Sequence, residues 1–299
     1  MARLDDVQYW WPHAARVFDL HGMEVGEGGV EAGKGGTFPT LICGDVVIKL
    51  FGHLPFWRRA YDAELAAMSL ITDGPHVLAP KLLAHGELFV DSTRPWPYLV
   101  TTRMPGSPWE ETALSAEEKS AIAADLGDQV RRISALVPPA DIATPNGWRG
   151  PGLVEAAMRS ALPSRLIAQI DDYIAGMDQV DRVLVHGDLM FRHVFVENGR
   201  LAGVIDWGDA LVADPHYELA QIQLNLFDGD KTLLRTFLDQ SNWPVERDFA
   251  RRALTEAFRR QAVGLAQHRT MDVFHKLPRM LKLEDIATLD DLAEAVFGV

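Results

Sequence analysis

The run from Val185 to Val196, Val-His-Gly-Asp-Leu-Met-Phe-Arg-His-Val-Phe-Val, constrains this chain more than any other segment. A polar loop is bracketed by two short apolar stretches, Val183-Leu184-Val185 and Val194-Phe195-Val196, which read as strands because β-branched and aromatic residues cluster there. The turn Glu197-Asn198-Gly199-Arg200 leads into a third strand-like run, Leu201 to Ile205, which ends at Asp206-Trp207-Gly208-Asp209. Asp188, His193 and Asp206 therefore converge on one mouth of a strand pair. Such a set suits phosphoryl transfer: one carboxylate orients the attacking hydroxyl and accepts its proton, while two further ligands hold the divalent metal that neutralises phosphate charge.

The rest of the chain divides by texture. Asp6 caps a predicted helix through Leu20, with Val7, Trp10, Trp11, Ala14, Val17 and Phe18 at helical spacing and Gly22 just past the end. A glycine-rich stretch over residues 26–36 precedes two β-rich runs, 40–43 and 46–51, separated by the turn pair Gly44-Asp45. A helix is predicted over 57–72, then strands around 81–90 and 98–104. Pro105-Gly106-Ser107-Pro108 interrupts both periods and marks a joint, which divides the chain into a lobe over 1–104 and a lobe over 105–299. Beyond it the chain is mainly helical, with a capping box at Ser115 opening a helix to about Leu136 and further helices over 153–176, 216–226, 230–240, 246–268 and 285–296.

Composition narrows the function. The chain has 299 residues, enough for two domains, and its 29 Lys+Arg against 42 Asp+Glu leave a net charge of -13. That balance repels phosphate backbones and anionic lipid, so nucleic acid and membrane are excluded as expected partners and a cationic small molecule suits better. The one cysteine, Cys43, rules out internal disulfides and multi-cysteine metal sites and reads as a small buried strand residue. Asp5 and Asp6 precede any apolar run, and no stretch approaches 18 uncharged apolar residues, so the expected location is cytoplasmic.

His186-Gly187-Asp188-Leu189, Ile205-Asp206-Trp207 and Asp214-Pro215-His216-Tyr217-Glu218-Leu219-Ala220 together resemble the catalytic half of the aminoglycoside phosphotransferase family, whose fold is similar to that of protein kinases. The resemblance implies a bilobal α+β fold, with a small β-rich nucleotide-binding lobe and a larger helical lobe for catalysis and acceptor. It implies that Asp188 is the catalytic base and that His193 and Asp206 hold Mg2+. Upstream, Lys49 matches the family's phosphate-pairing lysine and Glu64 its ion-pair partner, Gly35-Gly36-Thr37 would cover the phosphates of ATP or GTP, and Thr102 and Met104 fall at the adenine-binding hinge. Asp209 and Glu218 lie close enough in sequence to the mouth to attract an ammonium-bearing acceptor. Val47 to Gly52, Trp96 to Val100 and Gln221 to Asn225 are similar to the hygromycin B phosphotransferase branch of that family.

One residue departs from the family pattern: His193 stands where asparagine is usual. A neutral imidazole suits Mn2+ better than Mg2+, so Mn2+ is an alternative metal. Gly28 to Gly35 spells a rival phosphate-binding loop, GxxxxGK, but a strand rather than a helix is predicted to follow it. No Gly-x-Ser-x-Gly elbow is present, and His53, His76, His85, His216, His268 and His275 show no metal-ligand spacing. The expected activity is transfer of the γ-phosphoryl of ATP or GTP to a hydroxyl of an aminoglycoside such as hygromycin B. The rivals are a kinase of another alcohol (sugar, choline-like, macrolide or metabolite) and a nucleotide-binding pseudokinase.

Overall fold

The first helix, α1 (Val7–His21), starts where Asp6 accepts the Tyr9 N–H at 3.0 Å and stops at Gly22, whose φ of 62° is the left-handed conformation that ends helices. The computed structural model describes residues 4–24, 29–52, 54–73, 76–138, 142, 152–177, 182–266 and 273–299. His53, His268 and residues 26–28 of the glycine stretch lie outside these. The chain separates into two compact units, Met1–Pro105 with Gly203–Asp209, and Gly106–Ala202 with Ala210–Val299.

In the first unit β1 (Val30–Ala32), β2 (Thr40–Cys43), β3 (Val46–Leu50), β4 (Leu82–Leu88) and β5 (Trp96–Thr102) form one antiparallel sheet in the order β1-β2-β3-β5-β4. The turn Gly44-Asp45 joins β2 to β3, as the sequence predicts. Side chains alternate across the sheet. Leu41, Cys43, Ile48, Leu50, Tyr98 and Val100 pack against Trp10, Ala14, Val17 and Phe18 of α1. Leu99 faces the other way, joining Phe38 and Phe51 and, from α2 (Trp57–Asp73), Ala60 and Tyr61. Cys43 is 1% exposed, and burial pushes its thiol up to about 11.

The second unit begins with β6 (Ser107–Pro108) and α3 (Ala116–Ser134), whose capping box pairs the Glu118 N–H with Ser115 Oγ at 3.2 Å and the Ser115 N–H with Glu118 Oε2 at 2.8 Å. The predicted helix over 153–176 is three short ones, α4 (Leu153–Met158), α5 (Ser164–Ile167) and α6 (Ile170–Ala175). Pro163 stands immediately before α5, where its missing N–H and its ring prevent a continuous helix. Then come β7 (Val183–Val185), β8 (Val194–Glu197), β9 (Arg200–Val204) and β10 (Leu211–Ala213), with β7 paired to β10 and β6, β8 and β9 forming a second small sheet.

The predicted helix over 216–226 is a 3-10 turn (Pro215–Tyr217), a short α7 (Leu219–Gln221) and a π-turn (Ile222–Leu226) closed by the Phe227 N–H on the Ile222 carbonyl at 2.8 Å. After it run α8 (Lys231–Ser241), α9 (Phe249–Ala266), α10 (Val273–Met280) and α11 (Leu289–Phe297). Gly127 of α3 lets α8 come close, for a Cβ there would lie 3.1 Å from the Ser241 nitrogen. β1, β6, β10 and α10 have no counterpart in the sequence reading.

Candidate active site

In the first unit, Lys49 is the next-to-last residue of β3, on the same face as Leu99, its cross-strand partner. Its ammonium lies 2.6 Å from Glu64 Oε2 and 2.7 Å from Asp206 Oδ1, and 5.3 Å from the centre of the Phe51 ring. Burial works to lower the Lys49 pKa, but Asp206 and Glu64 overcome it and hold the side chain charged, above the ordinary lysine range. Glu64 is buried, which pushes it up to about 7 in spite of Lys49, with the Asp206 charge adding to the rise. Asp206 lies two residues past the end of β9, with φ of 66°, a left-handed conformation uncommon outside glycine that concentrates at functional sites. Asp209 lies 4.0 Å from Arg59, with its side chain 18% exposed.

Gly35, Gly36 and Thr37 form the turn between β1 and β2, with Gly35 at φ of 63°. A strand follows that turn, which removes the rival reading of a phosphate loop opening a helix. At the end of β5, the Thr102 N–H donates to the Lys81 carbonyl at 2.9 Å and Thr102 Oγ1 accepts the Lys81 N–H at 2.9 Å. The Thr102 backbone donor, expected at adenine, is thus already engaged. Met104 is buried and packs where Gly203 has no side chain.

In the second unit, the loop between β7 and β8 carries Asp188 and His193. Gly187, at φ of 82°, makes the bend that only glycine adopts cheaply. The Asp188 N–H donates to His186 Nδ1 at 3.2 Å, and the Asp188 carbonyl accepts the Met190 N–H at 2.9 Å and faces His193 Nδ1 at 2.7 Å. Asp188 Oδ1 accepts from Arg260 Nη2 at 2.8 Å and from Gln221 Nε2. Arg260 also donates to the Gly187 carbonyl. Glu218, expected to face the acceptor, is 2% exposed, and its carboxylate accepts the Gly187 N–H at 3.1 and 3.2 Å. Burial pushes Glu218 up to about 7 against the Gly187 N–H and Arg260. His216 is buried in a pair with Asp214 at 2.8 Å.

The sequence reading missed Arg260 and gave Gln221 only a framework role. α9 is buried at every position from Ala253 to Gly264, Arg260 included at 3% exposed, so no apolar stripe in the sequence singles Arg260 out.

Asp206, in the first unit, and His193, in the second, each carry a donor atom that suits a divalent cation. Among the described residues no three His, Cys, Asp or Glu side chains could hold a metal by themselves. A nucleotide-bound cation needs fewer, because phosphates and water complete its shell. Asp206 offers a carboxylate with its side chain 36% exposed. His193 Nδ1 faces a carbonyl oxygen, so in the neutral ring Nδ1 bears the proton and Nε2 the lone pair, the arrangement that metal-binding histidines use.

Fold and motifs together define a phosphotransferase of the kinase-like class. A model described as APH, phosphotransferase enzyme family, matches residues 44–256. The chain belongs to that family. Hygromycin-B 4-O-kinase of Escherichia coli is 46% identical over 41 residues, 14% of this chain and only 12% of that protein's length. Over the whole fold, the GDP and kanamycin complex of the aminoglycoside phosphotransferase APH(2")-IIIa is similar with a TM-score of 0.63 and 18% identity, covering 95% of this chain and 96% of that one. Macrolide 2'-phosphotransferase MphH from Brachybacterium faecium gives a TM-score of 0.60 and 16% identity over 96% and 98% of the two chains.

Proposed function

We propose that this kinase transfers the γ-phosphoryl group of ATP or GTP to a hydroxyl of a cationic aminoglycoside, hygromycin B being the first candidate, and so inactivates an antibiotic in the cytoplasm. The Lys49–Glu64–Asp206 cluster carries the nucleotide half of this reading: one ammonium held charged between two carboxylates, on a rigid strand, is what phosphate positioning requires. Lys49 would pair with the α- and β-phosphates while Glu64 fixes its position. Gly35, Gly36 and Thr37 would lie over the phosphates. With the Thr102 N–H engaged by Lys81, adenine contact passes to the backbone at Met104.

Asp188 would orient the acceptor hydroxyl and take its proton. Asp206 with His193 would hold Mg2+ or Mn2+, which when bound neutralises phosphate charge. Asp209 adds negative charge for an ammonium group, whereas Glu218 is spent on the loop backbone. Net charge of -13 and the short stretch shared with hygromycin-B 4-O-kinase support the acceptor class. Among the described residues no helix is long and apolar enough to cross a membrane.

The test is a panel of hygromycin B, kanamycin, a macrolide, choline and a hexose with ATP or GTP, read by mass spectrometry for one added phosphate. Phosphorylation of an aminoglycoside alone is expected. A macrolide or neutral-sugar product moves the acceptor to a rival class, and nucleotide binding with no product from any acceptor leaves the pseudokinase reading.

A further inference from the structure

Asp188 is anchored at every polar atom but one. Its N–H meets His186, its carbonyl meets Met190 and His193, and Oδ1 takes donors from Arg260 on α9 and Gln221 at the end of α7. Among the described residues Oδ2 receives no hydrogen bond; His193 Nδ1 stands 3.5 Å from it. The holders are themselves held. Gln221 Oε1 accepts from Asn225 Nδ2, and the Arg260 guanidinium reaches the Gly187 carbonyl and lies 5.5 Å from the centre of the Tyr217 ring. Arg260 is 3% exposed, and a buried arginine with fork contacts to a carboxylate and the neighbouring carbonyl fixes direction as well as charge.

Gln221 gains its reach from the junction at which it stands. The chain changes there from α to π winding, a local insertion that re-aims side chains and recurs at functional sites. The helix preceding the π-turn is only three residues long, so its side chains are directed by that junction and by the Asp214-capped turn before it.

We propose that Arg260 and Gln221 are positioning residues that fix the Asp188 carboxylate through Oδ1, so that Oδ2 is the atom that receives the acceptor's proton. The inference rests on the role proposed above for Asp188. In the step concerned, the acceptor oxygen forms its bond to the γ-phosphorus and loses its proton to Oδ2. The bond from γ-phosphorus to the bridging oxygen breaks, and its electron pair leaves on the nucleoside diphosphate. A carboxylate free to rotate would present either oxygen at varying angle, and misplacement of this kind costs rate without weakening nucleotide binding.

The test compares R260A, R260K and Q221A in the wild-type and D188N backgrounds, using the full chain, the acceptor found above, and both kcat and nucleotide KM. R260A is expected to lower kcat by roughly 10- to 100-fold with nucleotide KM unchanged within about twofold. R260K and Q221A should fall between R260A and wild type, and added guanidinium should restore part of the R260A loss. In the D188N background each change should cost almost nothing further, because groups that act as a unit are not additive. Full kcat in R260A, an effect confined to KM, or an equal fold-loss in both backgrounds would overturn the proposal. Should R260A fail to fold, R260K and Q221A carry the same comparison. If D188N itself keeps full kcat, the role of Asp188 fails; if D188N is impaired while the three variants are not, only the positioning inference fails.

Discussion

Lys49 Nζ lies 2.6 Å from Glu64 Oε2, tying the end of β3 to α2 across 15 positions of sequence. The pair is largely screened from water, with side chains 15% and 9% exposed, so its removal strips a charge that bulk solvent cannot replace. Lys49→Ala is expected to raise the nucleotide KM and to lower kcat by roughly 10²-fold, the scale for losing one group that stabilises transition-state charge. Unchanged kinetics would remove Lys49 from the phosphate site. Glu64→Gln should show a smaller loss in the same direction, since the amide still accepts from the ammonium but no longer balances its charge.

Asp188→Asn should leave nucleotide affinity near wild type while lowering turnover by about 10²-fold or more, the ordinary contribution of a positioned general base. Isothermal titration with nucleotide alongside steady-state kinetics separates the two effects. A variant with normal turnover would mean that another group receives the proton.

Glu218 gives the fold a pH signature. Its folded-state pKa of about 7 lies above the ordinary glutamate value of 4.5, so between these limits the native chain binds more protons than the unfolded one. Its contribution to stability is therefore full below about pH 4.5 and is lost as pH rises toward about 7. Arg260 and the Gly187 N–H oppose the shift and Asp188 adds to it. Urea unfolding at pH 4.5, 6 and 7.5 should show wild type losing stability relative to Glu218→Gln as pH rises. A difference that does not vary with pH would assign the titration elsewhere.

His193→Asn tests the metal donor. An imidazole nitrogen favours Mn2+ over Mg2+ more than an amide oxygen does, so the ratio of activities in the two metals should move toward Mg2+ in the variant. Mn2+ bound with nucleotide should also lose its coupling to an imidazole nitrogen in pulsed electron paramagnetic resonance. The same ratio and the same spectrum in both proteins would leave Asp206 and water as the donors.

A polycationic acceptor meeting a chain of net charge -13 should be steered by the field. Its kcat/KM is expected to fall as added salt shortens the Debye length from about 30 to about 8 Å. A flat salt profile would point to a neutral acceptor.

Local chemistry made much of this fold readable from sequence. Asp6 and Gly22 bound α1, Gly44-Asp45 turns β2 into β3, and Ser115 with Glu118 opens α3, each by contacts within a few residues. The Asp188 loop and Asp206 were legible for the same reason, since the strands that aim them are their neighbours. Arg260 was not, because it reaches Asp188 from 72 positions downstream and only the packing of α9 brings it there. Glu218 failed in the opposite sense: nearness in sequence to the mouth suggested an outward carboxylate, while the 3-10 turn at Pro215–Tyr217 leads into a buried Glu218 bonded to the loop backbone. The break within 153–176 carried a signal in Pro163, which a continuous helix does not accommodate, whereas no proline or glycine within 216–226 marks the 3-10 and π turns there.

The burial of Cys43 has a practical side. With its thiol inside the β2 layer and protonated at neutral pH, the natural chain carries no sulfur that a maleimide would find readily. A cysteine introduced at an exposed turn position such as Thr93 would therefore be the sole reactive handle, and a fluorophore there could follow nucleotide binding without first engineering a thiol-free background.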